Sequence, residues 1–295
     1  QPPDKPSLDM FSAILLNAGG LGKHSSDDLQ RITAGRNVGG NLSVDEDAFT
    51  MDGRTTEEDL ELQLQLLCAS ITDPGYREEA LRQFRKMLPM ISSQLKFTIS
   101  GAMAEMQEWA RGGDGRFAKP NPEVLAKYTA DDVKAWISPE FDDSYLEISL
   151  VGDFDIEKAI PLVLGTVGAL PTHSSTRPAL GKERQLKTPK LPATKKFTYT
   201  SKIPQAASLV GWRIPAVKED IKELRRLNVL AAILDDRLRT KLREELGATY
   251  SPQAHANASM VFDYGNLMAM SIGAPEDVEK VTALIHEMGI ELGAK

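Results

Sequence analysis

Between residues 229 and 252 the chain reads VLAAILDDRLRTKLREELGATYSP, with Val229, Leu230, Ile233, Leu234, Leu238, Leu242 and Leu246 recurring at steps of three and four. That spacing predicts a helix with one buried face. Gly247 accepts the left-handed conformation that ends a helix, and Pro252 just beyond cannot continue one. The chain must therefore reverse, bringing Tyr250 at the start of the next strand back beside the last helical turn, which carries Arg243. A guanidinium and a phenol are two strong donors, suited to a developing oxyanion or a peptide carbonyl. On spacing alone a plainer reading stands beside this one. An Arg near a helix C-terminus complements the helix dipole, and a Tyr at a strand start is a core residue with a satisfied hydroxyl.

The pattern before this stretch alternates helices with paired strands. DMFSAILLNA (9–18) is a short apolar helix closed by Gly19 and Gly20, and Ser25 with Asp28 forms a capping box for a second helix through Ile32. VGGNLSV and DAFTMDGRT alternate as two strands of a hairpin. Thr56 and Asp59 cap a helix with Leu60, Leu64, Leu67 and Ile71 on one face. Residues 76–110 are mostly helical with a kink at Pro89. The loop GGDGRFAKPNPE leads to a helix over ADDVKAWI, a turn at SPEFDD, a buried strand YLEISLVG, and the helix IEKAIPLVLGTVG, with Asp153 or Asp155 at its cap.

Residues 171–196, rich in Pro, Ser, Thr and Lys without periodicity, read as a linker. After it come strands FTYTSKI and AASLVGWRI, the helix ending at Leu246, strands after Tyr250 and around LMAMSIG, and the helix PEDVEKVTALIHEMG. The fold class is thus α+β: two similar α/β units, 1–170 and 197–295, each a mixed, largely antiparallel sheet with helices packed on one face. The first unit reads as lacking its opening strands and the second as cut near its end. The halves echo each other locally. Arg31 and Arg243 stand four residues before Gly35 and Gly247, and Val38 and Tyr250 stand three residues after; only the second copy carries a phenol.

With 41% hydrophobic residues among 295 the chain buries a sizeable core, and a net charge of -7 without any Lys/Arg block argues against nucleic acid as a partner. Cys68, the single cysteine, sits in the apolar run LQLQLLCASI as a buried thiol. No window approaches the roughly 18 apolar residues of a membrane span, so no membrane partner is expected. GGLGK (19–23) lacks the Ser/Thr and the preceding strand of a phosphate loop.

The run LDDRLRTKLREELGATYSP resembles a signature of the C-terminal half of pitrilysin/insulinase-type zinc metallopeptidases, the inverzincins, and the similarity extends over nearly the whole chain. The resemblance implies that Arg243 and Tyr250 reach from the non-catalytic half to the substrate, as auxiliary catalytic residues. It also implies a catalytic half as partner, in the same chain or another, a peptide substrate, and zinc held in that upstream half. The zinc motif of such enzymes is H-x-x-E-H. This chain has none: His24, His173, His255 and His286 are scattered, and the helix similar to the motif's offers Phe11, Ile14 and Leu15 instead. The expectation is a substrate-binding half, inert by itself, with no cofactor or metal site of its own. The alternative is a catalytically inactive scaffold subunit of the same fold. A small-molecule enzyme built on the VGDFD loop (151–155) is a third, unrelated class.

Overall fold

The computed structural model describes residues 1–217, 220–247 and 251–294, with the backbone alone of residues 243, 245 and 246. It divides the chain into two compact units, Gln1–Ser92 with Gly115–Leu180, and Ser93–Asp114 with Gly181–Lys295.

In the first unit helix α1 (Leu8–Gly19) turns Leu8, Phe11, Leu15 and Leu16 inward, the three- and four-residue spacing of one helical face. Helix α2 (Ser26–Ile32) begins in the expected capping box, the Ser25 hydroxyl accepting the Asp28 N–H and the Asp28 carboxylate accepting the Ser25 N–H. Strands β1 (Gly40–Val44) and β2 (Phe49–Gly53) form an antiparallel hairpin with Leu42 opposite Met51. Helices α3 (Leu60–Thr72) and α4 (Glu78–Phe97) follow. Helix α5 (Ile99–Ala110) belongs to the second unit, and α6 (Pro122–Leu125), α7 (Ala130–Asp143) and α8 (Ile156–Gly165) return to the first. Phe11 packs edge-on against Phe84 of α4 at 5.3 Å, and Val133 and Ile137 of α7 complete the buried cluster.

The second unit holds a sheet of β3 (Ala206–Ile214), β4 (Ser251–Ala258) and β5 (Gly265–Gly273) in the order β3-β5-β4, antiparallel throughout its described residues. Helices α9 (Ile221–Leu246) and α10 (Val278–Gly293) pack on it through Ala231, Leu234, Leu238, Leu242, Val281, Leu284 and Ile285. Helices over small antiparallel sheets make this an α+β fold.

Several local expectations change. The buried stripe of α9 runs through Leu227, Ala231, Leu234, Leu238 and Leu242, whereas Val229 and Ile233 are 60% and 41% exposed. Val229 and Ile233 lie off that stripe, and the helix carries more apolar residues than the face turned to the sheet takes up. Helix α4 continues through Pro89, because Phe84 and Leu88 hold that face in the core. The break falls at Thr98, which is extended at φ -128, ψ 162. There Gly101 approaches the Leu95 carbonyl so closely that a Cβ would lie 1.8 Å from it. SPEFDD is helix, since burying Phe141 extends α7 by a turn. Residues 145–152 and 197–203, expected as strands, have no strand partner among the described residues. Their alternation carries β propensity, but a ladder requires a second strand. Asp59 does not cap α3. Its carboxylate accepts the Asn37 N–H at 2.7 Å and pairs with Arg36 at 2.5 Å, which together hold its pKa below the ordinary value against the opposing effect of burial. Cys68 is half-buried rather than enclosed, and its partial burial pushes the thiol pKa up.

Candidate functional site at the helix-to-strand reversal

The reversal after α9 is built from the core outward. Leu234, Leu238 and Leu242 are fully buried against the sheet and fix the last turns of the helix. Gly247 then adopts φ +84, which a side chain resists, and β4 runs back from Ser251. The Asp235 carboxylate ties the two together, accepting the Ala254 N–H at 3.1 Å while it pairs with Arg239 at 2.8 Å. Arg243 has its backbone in the final turn of α9, but its side chain lies outside the described residues, as does the whole of Tyr250.

The first unit repeats this reversal in register. Gly35 adopts φ +81 after α2, and β1 and β2 follow as an antiparallel pair. Its Arg31 is engaged with Asp28 one turn earlier on the exposed helix surface. The match extends to a contact the sequence does not announce. Leu42 stands seven residues after Gly35, as Ala254 does after Gly247. Each has its N–H bonded by a helix side chain, Leu42 by Asn17 of α1 and Ala254 by Asp235 of α9. In the sequence Asn17 reads only as a residue near a helix C-terminus, so nothing there flagged it.

The weaker candidates resolve into structural roles. Asp155 caps α8 by accepting the Glu157 N–H at 3.0 Å, which makes VGDFD a helix start. In GGLGK the Gly22 N–H donates to the Asp73 carbonyl, and the Asp73 carboxylate sits where a Gly22 Cβ would be, an arrangement hostile to phosphate. Phe11 and Leu15 are core residues, and Ile14 is half-buried beside β1. His173 has its Nδ1 3.0 Å from the Ser144 carbonyl, and His24, His255 and His286 are exposed. Among the described residues no three His, Cys, Asp or Glu side chains group as metal ligands, and no helix is long and apolar enough to cross a membrane.

Known proteins bear on this arrangement. The family model described as "Peptidase M16 inactive domain" matches residues 127–295. Over 170 residues, 56% of this chain, the sequence is 28% identical to the chloroplastic stromal processing peptidase of Arabidopsis thaliana, of which the match covers 13%. Among solved structures, the periplasmic protease PqqL of Escherichia coli matches all of this chain over 32% of its own, with a TM-score of 0.79 and 18% identity. A peptidase M16 inactive domain from Pseudomonas fluorescens matches 98% of this chain over 69% of its own, with a TM-score of 0.72 and 17% identity. The chain therefore spans about an eighth of the curated relative and about a third of the PqqL chain. A match that takes in α9, its reversal and the sheet it packs on, together with a shared fold across the whole length, places this chain in the peptidase M16 family, as its inactive, non-catalytic domain.

Proposed function

We propose that this chain is the substrate-binding half of a zinc metalloendopeptidase, whose catalytic half lies in the same polypeptide or a partner chain, and that Arg243 and Tyr250 contact the bound peptide. The supporting observation is that the family match takes in the 243–250 segment, at the end of a helix anchored by Leu238 and Leu242. Asp235 pins α9 to β4 through the Ala254 N–H, which holds together the helix and the strand that flank this segment. Val38 at the matching place of the other copy argues that the turn itself has no need of a phenol. The relatives carry the names of a processing peptidase and a protease, which favours a peptide as ligand.

Among the described residues no group of side chains fits zinc: Phe11, Ile14 and Leu15 offer no donor atoms, and the four histidines are scattered along the sequence. The metal belongs, on this reading, to the catalytic half. What this half contributes is donors: a phenol that hydrogen-bonds developing negative charge, and a guanidinium that holds the peptide backbone.

The test uses the full-length protein and measures kcat, KM and melting temperature. Loss of one oxyanion donor costs about 3 to 4 kcal/mol, or roughly a hundred- to a thousandfold in turnover. Tyr250→Phe lowers kcat on that scale with KM and stability unchanged, and Arg243→Ala also raises KM. An unchanged kcat for Tyr250→Phe removes the role. A parent protein without H-x-x-E-H would make the chain a scaffold of the same fold.

A further inference from the structure

Among the described residues strand β1 is paired on one side only. On its other side the Asn17 carboxamide accepts the Leu42 N–H at 2.8 Å and donates to the Leu42 carbonyl at 2.8 Å. A carboxamide carries the donor and acceptor of a peptide group, so Asn17 occupies the place of one residue of a neighbouring strand. Leu42 directs both groups away from β2, and the alternation of an antiparallel ladder directs those of Gly40 and Val44 the same way. Alongside runs an open groove of about 580 Å³. Met10, Ala13 and Ile14 of α1 and Val44 of β1 give it an apolar lining, in which Asp9 is the only charge.

The second hairpin lacks this combination. Where β1 has Gly40, β4 has Pro252, with no N–H to offer, and Asp235 engages only the N–H of Ala254. That edge is blunted against strand addition. The β1 edge keeps its donors beside an apolar groove.

We propose that the outer edge of β1 binds an extended peptide by strand addition. The peptide pairs with Gly40 and Val44 and displaces Asn17 from Leu42. Its alternate apolar side chains lie over Ala13 and Ile14, and a basic residue is matched by Asp9. This is a second peptide contact, within the first unit, and it requires neither Arg243 nor Tyr250.

Fluorescence anisotropy on the full 295-residue chain tests it with a labelled, amidated hexapeptide Lys-Val-Thr-Val-Thr-Val. Two analogues are compared, one N-methylated on its valines and one on its threonines, because only one set of N–H groups faces β1 in a given register. One analogue binds at least tenfold more weakly and the other does not. In the saturated complex, amide exchange at Gly40 and Val44 slows at least tenfold. Ile14→Asp, at a half-buried position that leaves the circular dichroism unchanged, weakens binding at least tenfold. Asn17→Ala tightens it a few fold. Equal affinity of the parent peptide and both analogues, or unchanged exchange at Gly40 and Val44, overturns the proposal and leaves Asn17 as a cover for an exposed edge.

Discussion

Gly289→Ala sets two known effects against each other. Gly289 lies inside α10, where alanine gains about 1 kcal/mol in helix propensity over glycine. Trp212 of β3 rests on it, and a Cβ built there falls 2.0 Å from Cζ2 and 2.5 Å from Cη2 of the indole. That is about 1.5–2 Å short of ordinary carbon contact. The indole is a rigid plane, so relief requires α10 or β3 to shift, in a core that Leu284, Ile285 and Met288 already fill. Overpacking of this kind costs about 1–3 kcal/mol. The net expectation is a loss of up to about 2 kcal/mol. In a Trp212→Leu background the obstacle is gone and only the propensity remains, so Gly289→Ala there stabilises by up to about 1 kcal/mol. Because the two units can unfold separately, the assay is native-state amide exchange at Ile285 and Met288, supported by urea unfolding followed by circular dichroism. Stabilisation by Gly289→Ala in the parent chain, or equal effects in both backgrounds, would refute the packing argument.

Asp28 has its pKa lowered to about 2 by the hydroxyl and N–H of Ser25 and then by Arg31. A depressed folded value means its contribution to α2 is fully present above the unfolded value near 3.8 and lost as pH falls through about 2. An NMR titration of α2 amides should show an acid transition between about pH 4 and 2 that Asp28→Asn abolishes; a transition that survives shows that another group titrates. If the chain is organised as 1–170, 171–196 and 197–295, a nonspecific protease cuts the linker first. The cut should fall within 175–183, because Ser174 is bonded to Asp143, while Arg184 and Pro189 accept from Asp263 and Arg213. Nicking first inside α9 contradicts that organisation. Metal analysis of the dialysed chain should find no stoichiometric zinc, and one tightly held ion per chain overturns that expectation.

Local chemistry is legible wherever a few neighbouring residues settle the outcome. The capping box of Ser25 and Asp28, the cap at Asp155 and the left-handed glycines at 35 and 247 are written in the sequence, because each satisfies backbone groups within a turn of itself. The reversal after α9, and with it the backbone position of Arg243, follows from such signals. Asn17 was illegible because its partner, Leu42, is 25 residues away and identified only by the strand edge it faces. Residues 145–152 show the converse, since alternation states a preference for strand but cannot supply the second strand.

Glycine draws the boundary most clearly. Gly247 ends a helix through its own φ, a property the residue carries with it, and the sequence alone determined that stop together with the amphipathic helices and the α+β class. Gly289 reads in sequence as the same signal, yet α10 runs past it to Gly293. Gly101, inside the stretch that reads as mostly helical, is a close contact with the Leu95 carbonyl. Only the tertiary structure decided between a glycine that turns the chain and one that lets another element approach, and which apolar residues of α9 are buried. Those choices depend on which atoms arrive from distant parts of the chain, and a close-packed interior leaves no room for a Cβ where an indole or a carbonyl already stands.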